Sequence, residues 1–149
     1  MRAVITRVAW ARVRVDGEVV GEIAGGICAL VGVGRGDAER DARWLADKIC
    51  HARFFRDEQD KMNRSLLDGH GSLLAISQFT LYGDLREGNR PSFGAAMEPE
   101  AARVLFDSVC ARARSHGIAV QTGRFGASMA VESLNDGPVT LLLDSAKSF

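Results

Sequence analysis

The sequence predicts an α+β protein in a single domain, residues 1–149, with a mostly antiparallel, curved, barrel-like sheet and two main helices packed on it. Three observations support this. The chain has the usual length of one domain. Roughly seven segments show strand patterns, whereas two show helical periodicity. Strands and helices do not alternate regularly, which argues against a doubly wound parallel sheet.

The first strands follow from period-2 patterns. Residues 3–15 alternate small or β-branched side chains with other residues, as a half-buried strand does. Asp16-Gly17 predicts a hairpin turn, and residues 18–23 form the returning strand. A third strand, ICALVGV, follows at residues 27–33.

Two segments have the apolar spacing of helices. The first is expected to begin at Asp37, whose carboxylate can cap free N–H groups, and to run to about Phe54. The second is expected to begin at Glu98-Pro99, with proline at its first position, and to end at Gly117. Apolar residues recur every three or four positions in both.

The remaining segments are predicted as one loop and four strands. The loop covers residues 56–71, which are rich in charge and turn formers. The strands are SLLAISQFTLY, reaching Tyr82 and buried on both faces in its first half, and then IAVQTG, GASMAVES and PVTLLLD.

The stretch LNDGPVTLLL, residues 134–143, contains a conflict. Val139 to Leu143 have the composition of a buried strand, yet Pro138 removes a ladder donor where that strand begins. Taken alone, Asn135 to Pro138 are interpreted as a turn between two strands.

Composition bounds the function. Hydrophobic residues make up 46% and charged residues 26%, which excludes a disordered or fibrous chain. Lys plus Arg and Asp plus Glu both total 19, so no global positive field indicates a nucleic-acid partner. Arginines near the N-terminus, with Arg86 and Arg90, either form a local basic patch or a solvated face.

The termini and cysteines indicate a cytoplasmic protein. Cys28, Cys50 and Cys110 are odd in number and form no CxxC pair, so neither a disulfide framework nor a zinc site follows. No apolar run matches a signal peptide or the roughly 20 residues of a membrane span.

Common catalytic patterns are missing. The segment SQFT lacks the GxSxG elbow of hydrolases. His51 and His70 are expected to be surface and loop residues, and His116 a favourable charge at a helix C-terminus. The glycines of GVGRGD lack the ending and spacing of a phosphate loop, so we interpret them as a turn.

Two motifs together give the sequence a family likeness. SQFTL at residues 77–81 and NDGPVT at residues 135–140 occur with the flanking segments KMNRSL, RPSF and QTGRFGASM. In this order they resemble the D-aminoacyl-tRNA deacylases, from Met1 to Asp144. The tail, residues 145–149, lies outside the likeness.

The resemblance implies the activity and the partners. Members are homodimers with the active site at the subunit interface. They are hydrolases of carboxylic ester bonds, which free tRNA from D-amino acids and from wrongly attached glycine. The resemblance therefore implies chiral proofreading in translation, with the aminoacylated 3′ end of tRNA as partner. It implies no metal, cofactor or membrane, and no requirement for DNA.

The resemblance also implies site residues for chiral selection. In the family the Gly-Pro pair, here Gly137-Pro138, is cis and reaches from one subunit into the active site of the other, where it rejects L-aminoacyl-tRNA. Asn135 belongs to the same group. Arg7 matches the arginine that holds the pair, so we expect it to donate to the carbonyls around residues 137 and 138. Without the resemblance, Arg7 would be interpreted as a surface strand residue.

The catalytic wall is implied in the same way. Ser77, Gln78, Phe79 and Thr80 are expected beside the terminal adenosine and the scissile ester. Three further residues are expected to contact adenosine or tRNA, namely Phe125, Met129 and Arg90; by pattern alone, Phe125 and Met129 would be core residues.

Two hydrolytic routes stay open at this point. Thr80 is a candidate nucleophile, but its motif contains no histidine partner to activate it. The alternative is that main-chain N–H groups of residues 78–80 stabilise the oxyanion, water attacks, and the 2′-hydroxyl of the tRNA assists.

Three rivals are retained. A sister deacylase type tolerates some L-amino acids, although Phe79 and Arg7 favour the D-specific type. The archaeal threonyl-tRNA synthetase editing domain is a more distant relative, which the lack of a synthetase body in 149 residues disfavours. A non-catalytic dimer that binds RNA ends is the third.

Overall fold

A computed structural model describes residues 1–69 and 71–148. The strands are β1 (Arg2–Val15), β2 (Glu18–Ile23), β3 (Gly26–Gly32), β4 (Phe55–Arg56), β5 (Met62–Arg64), β6 (Ser72–Ser77), β7 (Val120–Thr122) and β8 (Ala130–Asp144). The helices are α1 (Glu39–His51) and α2 (Pro99–Ser115), and short 3-10 turns cover Leu66–Asp68 and Phe79–Tyr82. The predicted α+β class, with two main helices, is confirmed.

The sheet is organised around β1. Residues 2–8 of β1 pair with β3, residues 11–15 pair with β2, and β8 pairs with both parts, all antiparallel. The order continues from β3 through β6 to β7, and these two pairings are parallel. The sheet is therefore mostly antiparallel, as predicted, with a parallel segment that the sequence did not indicate.

Both faces of the sheet are covered. Alternate residues of β6 illustrate this, because Leu73 packs in the cluster beneath the two helices and Leu74 packs in the cluster inside the curved sheet. Both side chains are fully buried. The prediction that the first half of this strand is buried on both faces is confirmed.

The sheet nearly closes into a barrel at β2 and β7. The main chain of Gly21 lies so close to Thr122 that a Cβ atom on Gly21 would be 2.5 Å from the Thr122 carbonyl oxygen. Only glycine permits this approach without a shift of backbone. The curved, barrel-like sheet expected from the sequence is confirmed.

The start of α1 differs from the prediction. Helix α1 begins at Glu39 with Ala38 as its N-cap, and the Asp41 carboxylate accepts a hydrogen bond from the Ala38 N–H at 2.9 Å. Asp37 does not cap the helix; its carboxylate accepts from the Gly34 N–H at 2.6 Å. The helix also ends at His51, short of Phe54. Helix α2 agrees with its predicted limits, and Gly117 follows it at φ +82°.

Two other segments differ. The predicted strand that reached Tyr82 ends at Ser77, and the chain then forms the 3-10 turn Phe79–Tyr82. The predicted loop at residues 56–71 contains β5, and β4–β5 form a small hairpin. His70, predicted in this loop, lies outside the described residues.

The predicted turn at Asn135 to Pro138 is wrong. Strand β8 is continuous, and its pairing with β1 shifts here: Thr140 pairs with Thr6 and Asn135 pairs with Val8. Residues 136–139 therefore lie opposite Arg7 alone, which is a bulge within one strand rather than a turn between two. A bulge accommodates Pro138 because its residues need not donate to the ladder. We call residues 136–139 the β8 bulge.

A polar contact joins α1 and α2. The Asp47 carboxylate accepts from Arg112 Nε and contacts His116 Nε2, each at 2.8 Å. Arg112 and then His116 lower the pKa of Asp47 to about 2. His116 is the C-cap of α2, in agreement with its predicted place at that helix end. Neither helix of the described chain is long and apolar enough to cross a membrane.

Candidate active site

A cavity of about 550 Å³ lies beside the SQFT segment. It is bordered by the ends of β3 and β6, by the first turn of α2 and by the segment before β8. This volume is within the ~300–1,000 Å³ typical of small-molecule sites. Its lining is mainly apolar and consists of Val31, Val33, Arg35, Ile76, Ser77, Gln78, Phe79, Phe93, Ala96, Met97, Glu98, Pro99, Ala102, Phe125, Gly126, Ala127, Met129 and Val131.

The end of β6 positions the wall of this cavity. The Gln78 N–H donates to the Val31 carbonyl at 2.7 Å, which ties the end of β6 to β3. The Gly83 N–H then donates to the Thr80 carbonyl at 2.9 Å and closes the 3-10 turn. Because its own N–H is already used, Gln78 cannot offer a main-chain donor to a ligand.

The next two amides are different. Among the described residues, the N–H groups of Phe79 and Thr80 have no acceptor. The first N–H groups of a helical turn have no partner within the turn, so they can bind an external oxygen. Of the three main-chain donors predicted at residues 78–80, the fold leaves those of Phe79 and Thr80 free.

Side chains of the same turn point in different directions. The Gln78 side-chain amide donates a short hydrogen bond to the Thr80 hydroxyl. Phe79 is 57% exposed, and its ring meets that of Phe93 edge to face with centroids 5.0 Å apart. No histidine or carboxylate contacts the Thr80 hydroxyl in the described chain, so no side-chain base is positioned to activate it.

Phe125 and Met129 line the cavity and also pack on the core. The ring of Phe125 lies 6.1 Å from that of Phe106 on α2. Met129 borders a second, smaller cavity as well, which it shares with Gln78, Thr6 and Cys28. Core packing and a place in the cavity lining therefore coexist for these two residues, and their contact with adenosine stays a prediction.

Arg90 does not line the cavity. It is exposed, three residues before Phe93, and makes no ion pair among the described residues. Several lining residues were not predicted, notably Phe93, Met97 and Ala102. The RPSF segment was the available signal for Phe93. No local pattern marks the other two, which lie in the first turn of α2 and in the segment before it, where the Met97 N–H donates to the Val33 carbonyl at 3.0 Å.

The β8 bulge is held from beneath by Arg7. This side chain is only 3% exposed. Its Nε donates to the Asp136 carbonyl at 2.9 Å and lies 3.2 Å from the Asp136 carboxylate, and its Nη1 donates to the Phe54 carbonyl at 2.9 Å. The alternative of a surface strand residue is therefore wrong for Arg7. The carbonyl that Arg7 binds beside the Gly137-Pro138 pair is that of Asp136.

Asn135 closes the base of the bulge. Its side-chain oxygen accepts from the Val139 N–H at 3.1 Å, and its amide nitrogen donates to the Thr140 hydroxyl at 3.2 Å. Gly137 has φ +148°, a conformation that favours glycine, and the Gly137-Pro138 peptide bond is cis. Gly137 and Pro138 are both exposed at the surface of β8.

The predicted site residues thus form two groups within one chain. Ser77, Gln78 and Phe79 border the 550 Å³ cavity, but neither Arg7 nor any residue of the β8 bulge does. Metal chemistry gains no support from side-chain clusters. Within residues 1–69 and 71–148, no group of three or more His, Cys, Asp or Glu side chains is placed to hold a metal ion.

These features define a class: a small α+β protein with a mainly apolar cavity of small-molecule size beside free main-chain donors. The family model described as D-Tyr-tRNA(Tyr) deacylase matches residues 4–144. The chain belongs to this family. The resemblance deduced from the two motifs is confirmed.

Curated relatives are similar over their whole length. A protein of Desulfitobacterium hafniense, named D-aminoacyl-tRNA deacylase, is 54% identical over 149 residues and covers 100% of both chains. A protein of Thermus aquaticus with the same name is 54% identical over 147 residues, covering 99% of this chain and 97% of its own.

Solved structures agree on the fold. One described as "c-Myc DNA Unwinding Element Binding Protein" superposes with a TM-score of 0.90 at 37% identity, covering 97% of this chain and 98% of its own. Another, described as a structural analysis of a probable eukaryotic D-amino acid tRNA deacylase, has a TM-score of 0.80 at 16% identity, covering 95% and 97%. At that identity the second likeness shows the fold alone.

We expect Arg7→Met to lower the free energy of unfolding by about 1–3 kcal/mol, because it leaves the buried Phe54 carbonyl and the Asp136 carbonyl without their donor. Equilibrium urea denaturation measures this. Amide hydrogen exchange at Val139 should also accelerate, since its acceptor Asn135 sits on the released segment.

The control is Arg14→Met, which removes a partly exposed cation paired with Glu132 and should cost less than about 1 kcal/mol. Equal stability of the two variants, with unchanged exchange at Val139, would show that Arg7 does not hold the β8 bulge.

Proposed function

We propose that this protein hydrolyses the ester of D-aminoacyl-tRNA, and of glycine wrongly attached to tRNA, and rejects L-aminoacyl-tRNA. The observation that carries the proposal is the nucleoside-sized cavity beside two free main-chain donors, in a chain of the D-Tyr-tRNA(Tyr) deacylase family. Its relatives at 54% identity are named D-aminoacyl-tRNA deacylase. We assign the activity to the cytoplasm, where tRNA is charged; three free, buried thiols fit that reducing compartment.

The cavity is proposed to take the terminal adenosine. Its apolar lining and the exposed ring of Phe79 supply flat contacts for a base, and base–aromatic stacking contributes about 1–3 kcal/mol per base. Phe125 and Met129, which also line the cavity, are proposed to contact the same base. Arg90, exposed and without an ion pair in the described chain, is proposed to meet a phosphate of the single-stranded 3′ end.

The scissile ester is proposed to lie against the 3-10 turn. When water attacks the ester carbon, negative charge develops on the carbonyl oxygen, and the N–H groups of Phe79 and Thr80 are available to bind it. Removing one such donor from an oxyanion hole typically costs ~100- to 1,000-fold in rate. Because these donors are already fixed by the turn, no reorganisation is needed during the reaction.

The proposed proton acceptor comes from the substrate. The Thr80 hydroxyl accepts from Gln78 and has no base beside it in the described chain, so it is poorly placed to become a nucleophile. Aminoacyl esters are already activated. The 2′-hydroxyl of the terminal adenosine lies next to the ester by covalent structure, and we propose that it assists the attacking water.

The second group of site residues is proposed to act in a partner copy. Strand β8 pairs only with β1 in the described chain and exposes large apolar side chains, among them Leu134 at 53% and Leu142 at 60%. A long apolar edge strand is normally covered, because uncovered it invites association. We propose a homodimer in which β8 contributes to the interface and brings Gly137-Pro138 to the partner's cavity.

Chiral selection is proposed to come from main chain. The carbonyls of Gly137 and Pro138 would accept from the substrate ammonium and occupy the space that an L side chain needs. Exclusion by backbone makes no contact with a D side chain, so the enzyme would accept many D-amino acids and also glycine, which has no side chain to exclude.

Purified protein tested on D-tyrosyl-tRNA, L-tyrosyl-tRNA and glycyl-tRNA, each with and without a chelator, examines this function directly. The proposal predicts rapid loss of the D and glycyl esters, persistence of the L ester, and no effect of the chelator.

Three results would contradict parts of it. Equal loss of the L ester would indicate a deacylase with relaxed chirality. Loss of activity with the chelator would indicate a metal-dependent step. No turnover of any ester, with salt-sensitive binding of tRNA, would indicate a non-catalytic RNA-end-binding protein.

The mechanism has its own test. A tRNA whose terminal adenosine lacks the 2′-hydroxyl, with the amino acid on the 3′ oxygen, should be deacylated at least ~100-fold more slowly, since general acid–base assistance usually contributes that much.

Thr80→Val keeps the shape of the side chain and removes its hydroxyl. Its deacylation rate should stay within about tenfold of that of the unaltered protein. A Thr80→Val protein that binds tRNA but has lost all activity would instead support Thr80 as the nucleophile.

A further inference from the structure

Tyr82 ends the 3-10 turn that carries the proposed oxyanion donors, yet it does not line the cavity. Its hydroxyl donates to the Asp37 carboxylate at 3.1 Å. Burial first, and then the negative charge of Asp37, raise the pKa of Tyr82 well above its ordinary value. The hydroxyl is therefore a permanent donor to Asp37 at any physiological pH.

Asp37 is itself held in place. The carboxylate oxygen that accepts from Tyr82 also accepts from the Gly34 N–H at 2.6 Å, and the other oxygen pairs with the ammonium of Met1 at 2.7 Å. This explains why Asp37 is not the N-cap of α1: its carboxylate faces the 3-10 turn instead of the helix.

Arg2 contacts the turn from a second direction. Its guanidinium carbon lies 4.6 Å from the centre of the Tyr82 ring, and its Nη1 donates to the Leu81 carbonyl at 3.3 Å. Its Nε is 3.8 Å from the Asp144 carboxylate at the end of β8. Ring, carbonyl and carboxylate together restrict where this guanidinium can lie.

The glycines of GVGRGD form the surface on which Tyr82 rests. A Cβ atom on Gly32 would lie 3.1 Å from Leu81 Cβ and 3.3 Å from the Tyr82 ring, and one on Gly34 would collide with that ring. The motif was interpreted as a turn before a helix. The close approach of the Tyr82 ring explains more specifically why residues 32 and 34 of this motif are glycines.

We propose that Tyr82 is a positioning residue for the reaction, and that Arg2, Asp37 and Tyr82 form a brace that aims the Phe79 and Thr80 N–H groups at the ester. This inference rests on the proposed function. The brace contacts the turn at Leu81 and Tyr82, its C-terminal end, and none of its three residues lines the cavity. Misplacement of reacting groups by about 1 Å typically costs ~100-fold in rate, so a smaller loss of precision should be measurable.

The test is a series of variants assayed for kcat and KM on D-tyrosyl-tRNA. Tyr82→Phe keeps the ring against Gly32, Gly34 and Arg2 and removes only the bond to Asp37; we expect kcat to fall about tenfold, with KM within about twofold. Tyr82→Leu, which also removes the ring, should lower kcat further. The difference in kcat between Tyr82→Leu and Tyr82→Phe gives the contribution of the ring, and the difference between Tyr82→Phe and the unaltered protein gives that of the hydroxyl.

Two further variants complete the design. Arg2→Lys keeps the charge but loses the planar stack and the fixed fork, and it should lower kcat in the same way even if Tyr82→Leu does not fold. Ser115→Ala removes a hydrogen bond of 2.7 Å to the Arg112 carbonyl at the end of α2, outside the cavity. It is the matched control and should leave both kinetic constants unchanged.

The outcomes separate this inference from the function on which it rests. If the unaltered protein deacylates none of the esters, the proposed function fails. Suppose instead that the unaltered protein is active. If kcat of Tyr82→Phe, Tyr82→Leu and Arg2→Lys is then no lower than kcat of the control Ser115→Ala, the brace is refuted. A selective fall in kcat supports it.

Discussion

The buried guanidinium of Arg7 is the contact on which the β8 bulge, the second half of the proposed site, depends. It donates to the Asp136 carbonyl and to the Phe54 carbonyl. The four residues of the β8 bulge, which have no regular pairing with β1, are thereby held in one conformation. Isolated buried charge is costly, and here the cost is offset by two carbonyls and the Asp136 carboxylate. The exposed β8 bulge is thus attached to a side chain in the interior, so its conformation depends on the packing around Arg7.

The two halves of the proposed site share a chemical strategy. At the 3-10 turn the N–H groups of Phe79 and Thr80 are the proposed donors, and at the β8 bulge the carbonyls of Gly137 and Pro138 are the proposed acceptors. Main-chain groups have no rotamers, so they discriminate by position. Their separation within one chain is accounted for by the proposed dimer, in which the exposed β8 brings the acceptors of one copy to the donors of the other.

The elements that could be predicted from the sequence are those that neighbouring residues alone determine. Alternation in β1 and the Pro99 start of α2 were predicted because period and capping need no tertiary information. It failed where a distant partner decides. Asp37 resembles a cap, yet Gly34 and Tyr82 compete for its carboxylate. Arg7 is charged, which favours an exposed position, yet it lies in phase with the buried Ala3 and Ile5, and only the bulge opposite it gives its charge a partner. The roles of the site residues came from family likeness, since spacing alone cannot bring residues 77–80 and 136–139 into one account.

The most direct measurement mixes two defective copies. Gly137→Ala places a Cβ atom 2.6 Å from the Val139 nitrogen, so the bulge must shift, and this copy alone should hydrolyse L-tyrosyl-tRNA as well as the D ester. Phe79→Pro removes one free N–H and should be inactive, with its bulge intact. After subunit exchange with excess Phe79→Pro, the account predicts that the Gly137→Ala copies lose activity on the L ester and keep it on the D ester. Undiminished activity on the L ester would mean that the bulge does not act across the interface.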